Sequence, residues 1–133
     1  MSNLATVQDI YAAFGRGDVP TILGHLAADV VWEDWEDNRG QKAGLEHLAR
    51  REGRDAVGGF FAWTATAEIT VFDIIAMMEG ADRVAVEVVI EANLAGGGHL
   101  RDEEIHLWSF NADGKVSRMR HYTDTAKHIE AGD

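Results

Sequence analysis

One aspartate and two histidines, set beside two tryptophans, are the residues of this chain whose types and spacing could do proton chemistry. In the stretch Ile105 to Asp124, IHLWSFNADGKVSRMRHYTD, alternation puts His106, Trp108 and Phe110 on one face of a strand. Met119 and His121 fall on one face of the next strand, and Asn111 to Gly114 supplies the turn of a β-hairpin. If those four residues are the whole loop, Met119 lies opposite His106 and His121 opposite Glu104, so titratable groups stand among large apolar side chains, as in a pocket wall. Upstream, Val30 to Trp35 (VVWEDW) reads as a short strand with Val30, Trp32 and Asp34 on one face and Val31, Glu33 and Trp35 on the other.

Burial beside indole rings penalises a charged carboxylate and moves it toward the range of a general base, while an imidazole can donate to a developing enolate or shuttle its proton. Asp34 next to Trp32 fits the first role and His106 next to Trp108 the second. The structural alternative makes Asp34 a partner of loop amides and His106 a hydrogen-bonded core residue. His121 with Glu104 is either a second acid–base pair or a cross-strand ion pair worth up to about 1 kcal/mol.

These groups need a scaffold, and 133 residues suffice for one domain with a single core, here residues 1–133. The formal net charge of −11 repels phosphate backbones, so nucleic acid is not an expected partner. The chain has no cysteine, which excludes disulfides, thiolate catalysis and sulfur-ligated metals. Its six histidines show neither HxH nor HExxH spacing, so no metal is expected, and acid–base chemistry by side chains calls for no cofactor. No apolar run approaches the roughly 20 residues that span a bilayer. The start MSNLATVQDI lacks a signal-peptide pattern, which points to a cytoplasmic protein with no membrane partner.

Leu4, Val7, Ile10, Tyr11 and Phe14 recur at helical spacing and predict an amphipathic first helix ended by Gly15 and Gly17. Asp18 caps a shorter helix with Pro20 in its first turn. Residues 36–53 read as a long connection that covers something, and Arg54 to Thr64 returns to helical spacing. Strands follow over Ile69 to Met78, Arg83 to Leu94, His99 to Phe110 and Lys115 to Thr123, then a last helical turn after Asp124. Asp73 interrupts alternation and suggests a bulge. Met77, Met78 and Met119 read as core or pocket lining. Helices first and a meander afterwards give an α+β domain with a curved sheet around the first helix.

With that order of elements, four segments carry a family resemblance: VQDIYAAFGRGD (7–18), DVVWED (29–34), GRDAVGGFF (53–61) and FNADGKVSRMRHYTD (110–124). The chain resembles the nuclear transport factor 2-like superfamily in its SnoaL-like and ketosteroid isomerase-like branch. That resemblance implies a cone-shaped α+β barrel, a mostly antiparallel sheet wrapped around a long N-terminal helix and enclosing a pocket. Ketosteroid isomerases use an aspartate that matches Asp34, but their oxyanion-holding tyrosine corresponds to Ile10, with Tyr11 one step off, and their neutral aspartate corresponds to His106. SnoaL-type polyketide cyclases use an acid–base residue on the strand where His106 stands. Limonene epoxide hydrolases need an Asp, Arg, Asp set, whereas VEVVIEA has no arginine and His121 replaces an aspartate, which disfavours that chemistry.

Two functions of different class follow. The first is a cofactor-independent isomerase- or cyclase-type proton transfer on a hydrophobic carbonyl compound, with Asp34, His106 and His121 as catalytic candidates. Its binding surface is expected from Trp32, Trp108, Met119, Tyr11, Phe61 and Glu104. The second is a non-catalytic ligand-binding or dimerising module. Ile105, Leu107, Arg118, Arg120 and Tyr122 share the outer sheet face, which predicts a two-fold homodimer.

Overall fold

A computed structural model describes residues 1–133. The first helix, α1 (Asn3–Gly15), starts where the Ser2 side chain accepts from the Ala5 amide. It stops at a turn that places Gly17 at φ 70°. Its inward stripe is Thr6, Val7, Ile10, Tyr11 and Ala13, and this stripe packs against the sheet. Asp18 caps α2 (Val19–Gly24) through the Thr21 amide. The chain then enters β1 (Leu26–Trp32), the one-turn α3 (Arg39–Lys42), a 3-10 turn at Glu46–Leu48 and the two-residue β2 (Arg51–Glu52). After α4 (Arg54–Thr64) come the long strands β3 (Glu68–Gly80), β4 (Arg83–Asn93), β5 (His99–Phe110) and β6 (Val116–Tyr122), and α5 (Thr125–Ala131) closes the chain.

The six strands form one sheet in the order β2-β1-β6-β5-β4-β3, antiparallel throughout except for the parallel pair β1 and β6. The α+β architecture, with its curved sheet facing α1, is the expected one. Along β5, Leu100, Asp102, Glu104, His106 and Trp108 alternate inward, and the core joins Trp108 to Val7 and Ile10 of α1, Val57 and Phe61 of α4 and Val84, Val86 and Val88 of β4. Three polar groups, Asp102, Glu104 and His106, thus lie in a row on the concave face.

Five local expectations are corrected. His106 pairs with His121, and Trp108 with Met119, two residues from the expected register. The hairpin loop includes Lys115, whose carbonyl accepts from the Asn111 amide, and a second extra residue enters β6 at a bulge next to Ser109 and Phe110. Because the shift is even, both faces keep their expected residues. The bulges of β3 fall between Ile69 and Val71 and between Ile74 and Ala76, not at Asp73, which pairs regularly with Val89. Met78 is 52% exposed on this edge strand and lines nothing. β1 begins at Leu26 and ends at Trp32, four residues earlier and three residues earlier than expected. Residues 36–53, finally, hold α3, the 3-10 turn and β2, and their His47 and Leu48 do cover the interior.

The end of β1 matters most. Glu33 adopts φ 59°, a conformation that a non-glycine residue occupies at a cost, and alternation stops there. Glu33 consequently turns inward beneath full burial while Asp34 swings outward.

Candidate functional site

Between α1, α4 and the concave sheet lies a cavity of about 80 Å³, lined mainly by apolar and aromatic side chains. At roughly 10–15 Å³ per water this holds about five to eight waters. Phe14, Phe60, Trp63, Ile69, Phe72 and Ile90 are the large lining side chains that keep partial exposure, and they mark its rim. Its titratable lining comes from Tyr11, His47, Glu104, His106, His121 and His128, and Thr64 and Thr123 add hydroxyls.

Five of these groups form one hydrogen-bonded row. Trp108 Nε1 donates to the Tyr11 hydroxyl at 3.2 Å, so the Tyr11 proton goes to His106 Nδ1 at 2.6 Å. His106 must then carry its own proton on Nε2, which donates to Glu104 Oε1 at 2.9 Å. His128 Nε2 donates to Glu104 Oε2 at 3.0 Å and to Asp102 Oδ2 at 2.8 Å. Its Nδ1 meets His47 Nε2 at 2.8 Å.

The electrostatics agree with that pattern. Burial, reinforced by the nearby His121, lowers the affinity of His106 for a second proton and keeps the ring neutral. Burial also raises the Tyr11 pKa, so its hydroxyl stays protonated. For Glu104 burial opposes the charge, yet the hydrogen bonds from His106 and His128 outweigh it and hold the carboxylate well below its usual range. Burial disfavours charge on His128 too, but Asp102 and Glu104 raise its pKa to about 9. Burial and the facing charge of His128 lower His47 to about 4. At neutral pH the row is therefore a neutral tyrosine, a neutral histidine, a carboxylate, a charged histidine and a neutral histidine.

A second pair stands across the sheet. Glu33 Oε1 accepts from both the backbone amide and Nδ1 of His121 at 2.6 Å, and Glu33 Oε2 accepts from Trp35 Nε1 at 2.9 Å. The His121 Nδ1 proton is thereby fixed, and its Nε2 is left without a hydrogen-bond partner in a wall shared with Trp32 and Phe60. That is the arrangement of a general base with an orienting carboxylate.

The structure places Tyr11, Trp32, Phe61, Glu104, His106, Trp108, Met119 and His121 on this cavity. It does not bring Asp34 there. Asp34 is half-buried on the outer side, accepts from Arg120 Nε at 2.7 Å and lies 3.6 Å from Arg118 Nε. The Glu104 pairing also differs from expectation, since Glu104 bonds His106 and His128 while His121 bonds Glu33. Tyr11, one step off the aligned position, still reaches the site through its hydroxyl. Glu33, His47, Asp102 and His128 were not singled out by sequence. Asp102 shares the inward parity of Glu104 and His106 and could have been found that way, whereas the backbone reversal at Glu33 leaves no sequence pattern.

Asp102, Glu104 and His128 present ligand-type atoms within 4.8 Å of one another. The shared His128 proton accounts for that clustering.

The SnoaL-like domain model matches residues 7–119. No curated protein matches the chain. Among solved structures, an NTF2-like protein of unknown function from Burkholderia pseudomallei superposes with a TM-score of 0.80 at 28% identity, covering 98% of each chain. TerC, co-crystallized with polyporic acid, is 25% identical with a TM-score of 0.75, covering 93% of this chain and 92% of its own. A Mycobacterium tuberculosis protein in complex with estradiol-17β-hemisuccinate has a TM-score of 0.75 at 22% identity, covering 96% of this chain and 98% of its own.

Proposed function

The chain belongs to the SnoaL-like domain family, and from that membership we propose a cofactor-independent acid–base enzyme that moves a proton on a small hydrophobic carbonyl compound. The observation that carries this reading is the Glu33-held His121 with an unpartnered Nε2 in an aromatic wall. His121 Nε2 takes the proton from the carbon next to the carbonyl, forming an N–H bond as the C–H bond breaks, and Glu33 stabilises the imidazolium. The electron pair moves onto the carbonyl oxygen, where the Tyr11 hydroxyl, turning from His106, donates a hydrogen bond. His121 then returns the proton to a carbon of the enolate, so atoms and charge balance. That two structural neighbours hold small organic ligands is in keeping with such a pocket.

The non-catalytic binding reading draws on a different observation. The Tyr11 hydroxyl is already shared by Trp108 and His106, and a ligand must compete for it. Incubation with small aryl ketones in deuterated water separates the two. Deuterium gain beside the carbonyl supports proton transfer, whereas binding without deuterium gain across the panel leaves a binder. We also infer a two-fold dimer through the outer face, where Tyr122 is exposed and Ile105 and Leu107 stay half-buried.

A further inference from the structure

The row of buried groups converges on Glu104. His106 donates to one of its oxygens and His128 to the other, so neither histidine can take a proton from Glu104 without first losing its own. A chain polarised from both ends toward its centre cannot conduct a proton along its length. It can only fix charges, and the question is which charge it fixes for which group.

Glu104 and Asp102 are both buried, and two carboxylates without a partner would draw a proton onto the nearest base. Two imidazoles are in reach of Glu104. The groups facing His106 are Tyr11 from α1, Glu104 on its own strand, and His121 from β6, whose ring lies edge-on at 4.5 Å with Glu33 behind it. Phe72 from β3 adds no charge. A second proton on His106 would sit on Nδ1, where it would point at a hydroxyl that already takes the Trp108 N–H, and would stand against the ring of His121. His128 has the opposite surroundings. Two carboxylates share its Nε2 proton and a neutral acceptor, His47 Nε2, takes its Nδ1 proton.

We propose that His128, clamped by Asp102 and His47, is a positioning residue that takes up the charge Glu104 would otherwise impose on His106. His106 is thereby kept as the neutral Nε2–H tautomer, its Nδ1 open to the Tyr11 hydroxyl. The inference deepens the proton-transfer reading and relies on it for the purpose of the device, though not for the protonation states themselves. A neutral His106 lets the Tyr11 hydroxyl be released toward a ligand oxygen and taken back afterwards. A charged His106 would put a cation beside the base His121 and weaken it.

The test is a two-bond proton–nitrogen spectrum of protein labelled with ¹⁵N-histidine, which reads the tautomer and charge of each ring. In the wild type at pH 7 we expect both nitrogens of His128 protonated and only Nε2 of His106. A charged His106, or a neutral His128, overturns the proposal without any variant. In His128→Gln the midpoint of His106 is expected to rise by about one pH unit or more, because Glu104 has lost its cation. A His106 midpoint that stays put, with the carboxylate pair taking up the proton instead, overturns it as well. Should His128→Gln fail to fold, the wild-type spectrum still decides. Ketone exchange measured on the same samples separates the two readings: the expected ring states without exchange remove the enzyme reading alone, and exchange with the opposite ring states removes the clamp alone.

Discussion

His106 and His121 face each other as a direct cross-strand pair, their rings edge to face with centroids 4.5 Å apart. Each carries its own carboxylate behind it, Glu104 for the first and Glu33 for the second. The pairing is asymmetric in chemistry. His106 turns its lone-pair nitrogen to Tyr11, and His121 leaves Nε2 unpartnered.

Removal of the Tyr11 hydroxyl should be costly for stability. Tyr11→Phe leaves Trp108 Nε1 and His106 Nδ1 buried without partners, and a loss of about 1–3 kcal/mol is expected by chemical denaturation. A variant as stable as the wild type would mean that water replaces the hydroxyl.

Asp34→Asn should cost less. It removes the half-buried pair with Arg120 and costs about 1 kcal/mol or less, with no change in ketone exchange, since the residue stands outside the cavity. Loss of exchange in a well-folded Asp34→Asn would place the chemistry elsewhere than in the cavity.

Much of this was readable in the chain. Helical spacing through Leu4, Val7, Ile10 and Phe14 and the alternation of His99 to Trp108 fix faces regardless of exact register, so His106, Trp108, Met119 and His121 land inward even though the hairpin is two residues out. Asp34 failed for a physical reason. Alternation is a property of extended backbone, and the positive φ at Glu33 exchanges which acid faces in. His47 and His128 escaped because a 3-10 turn and a short last helix carry too few residues for a period to show, and only tertiary packing brings them together.

Stability should peak near pH 6.5, the ordinary value of an unfolded histidine. His47, lowered to about 4, is neutral in the fold, and its contribution is present above pH 6.5 and lost as pH falls toward 4. His128, raised to about 9, is charged in the fold, and its contribution is present below pH 6.5 and lost as pH rises toward 9. Thermal midpoints measured across pH 4 to 9 should fall on both sides, and a steady rise to pH 9 would speak against a charged His128.

The indole rings of Trp32 and Trp108 lie 5.7 Å apart on the cavity wall. An aryl ketone that enters should quench tryptophan fluorescence, and Trp108→Leu should weaken that response while the fold persists. An unchanged response would remove Trp108 from the ligand surface.

Light scattering at micromolar concentration should return twice the chain mass if the outer face around Leu107 and Tyr122 is covered by a second copy. A single-chain mass would leave that face free.

In the proposed proton transfer His121, oriented by Glu33, is the base. Deuterium incorporation into an aryl ketone should be measured at equal occupancy for wild type, His121→Gln and Glu33→Gln. Proton transfer by a positioned side chain contributes about 10²–10⁴-fold, so His121→Gln is expected to lose exchange by about that factor and Glu33→Gln by a smaller one. Exchange in folded His121→Gln at the wild-type rate would contradict the account.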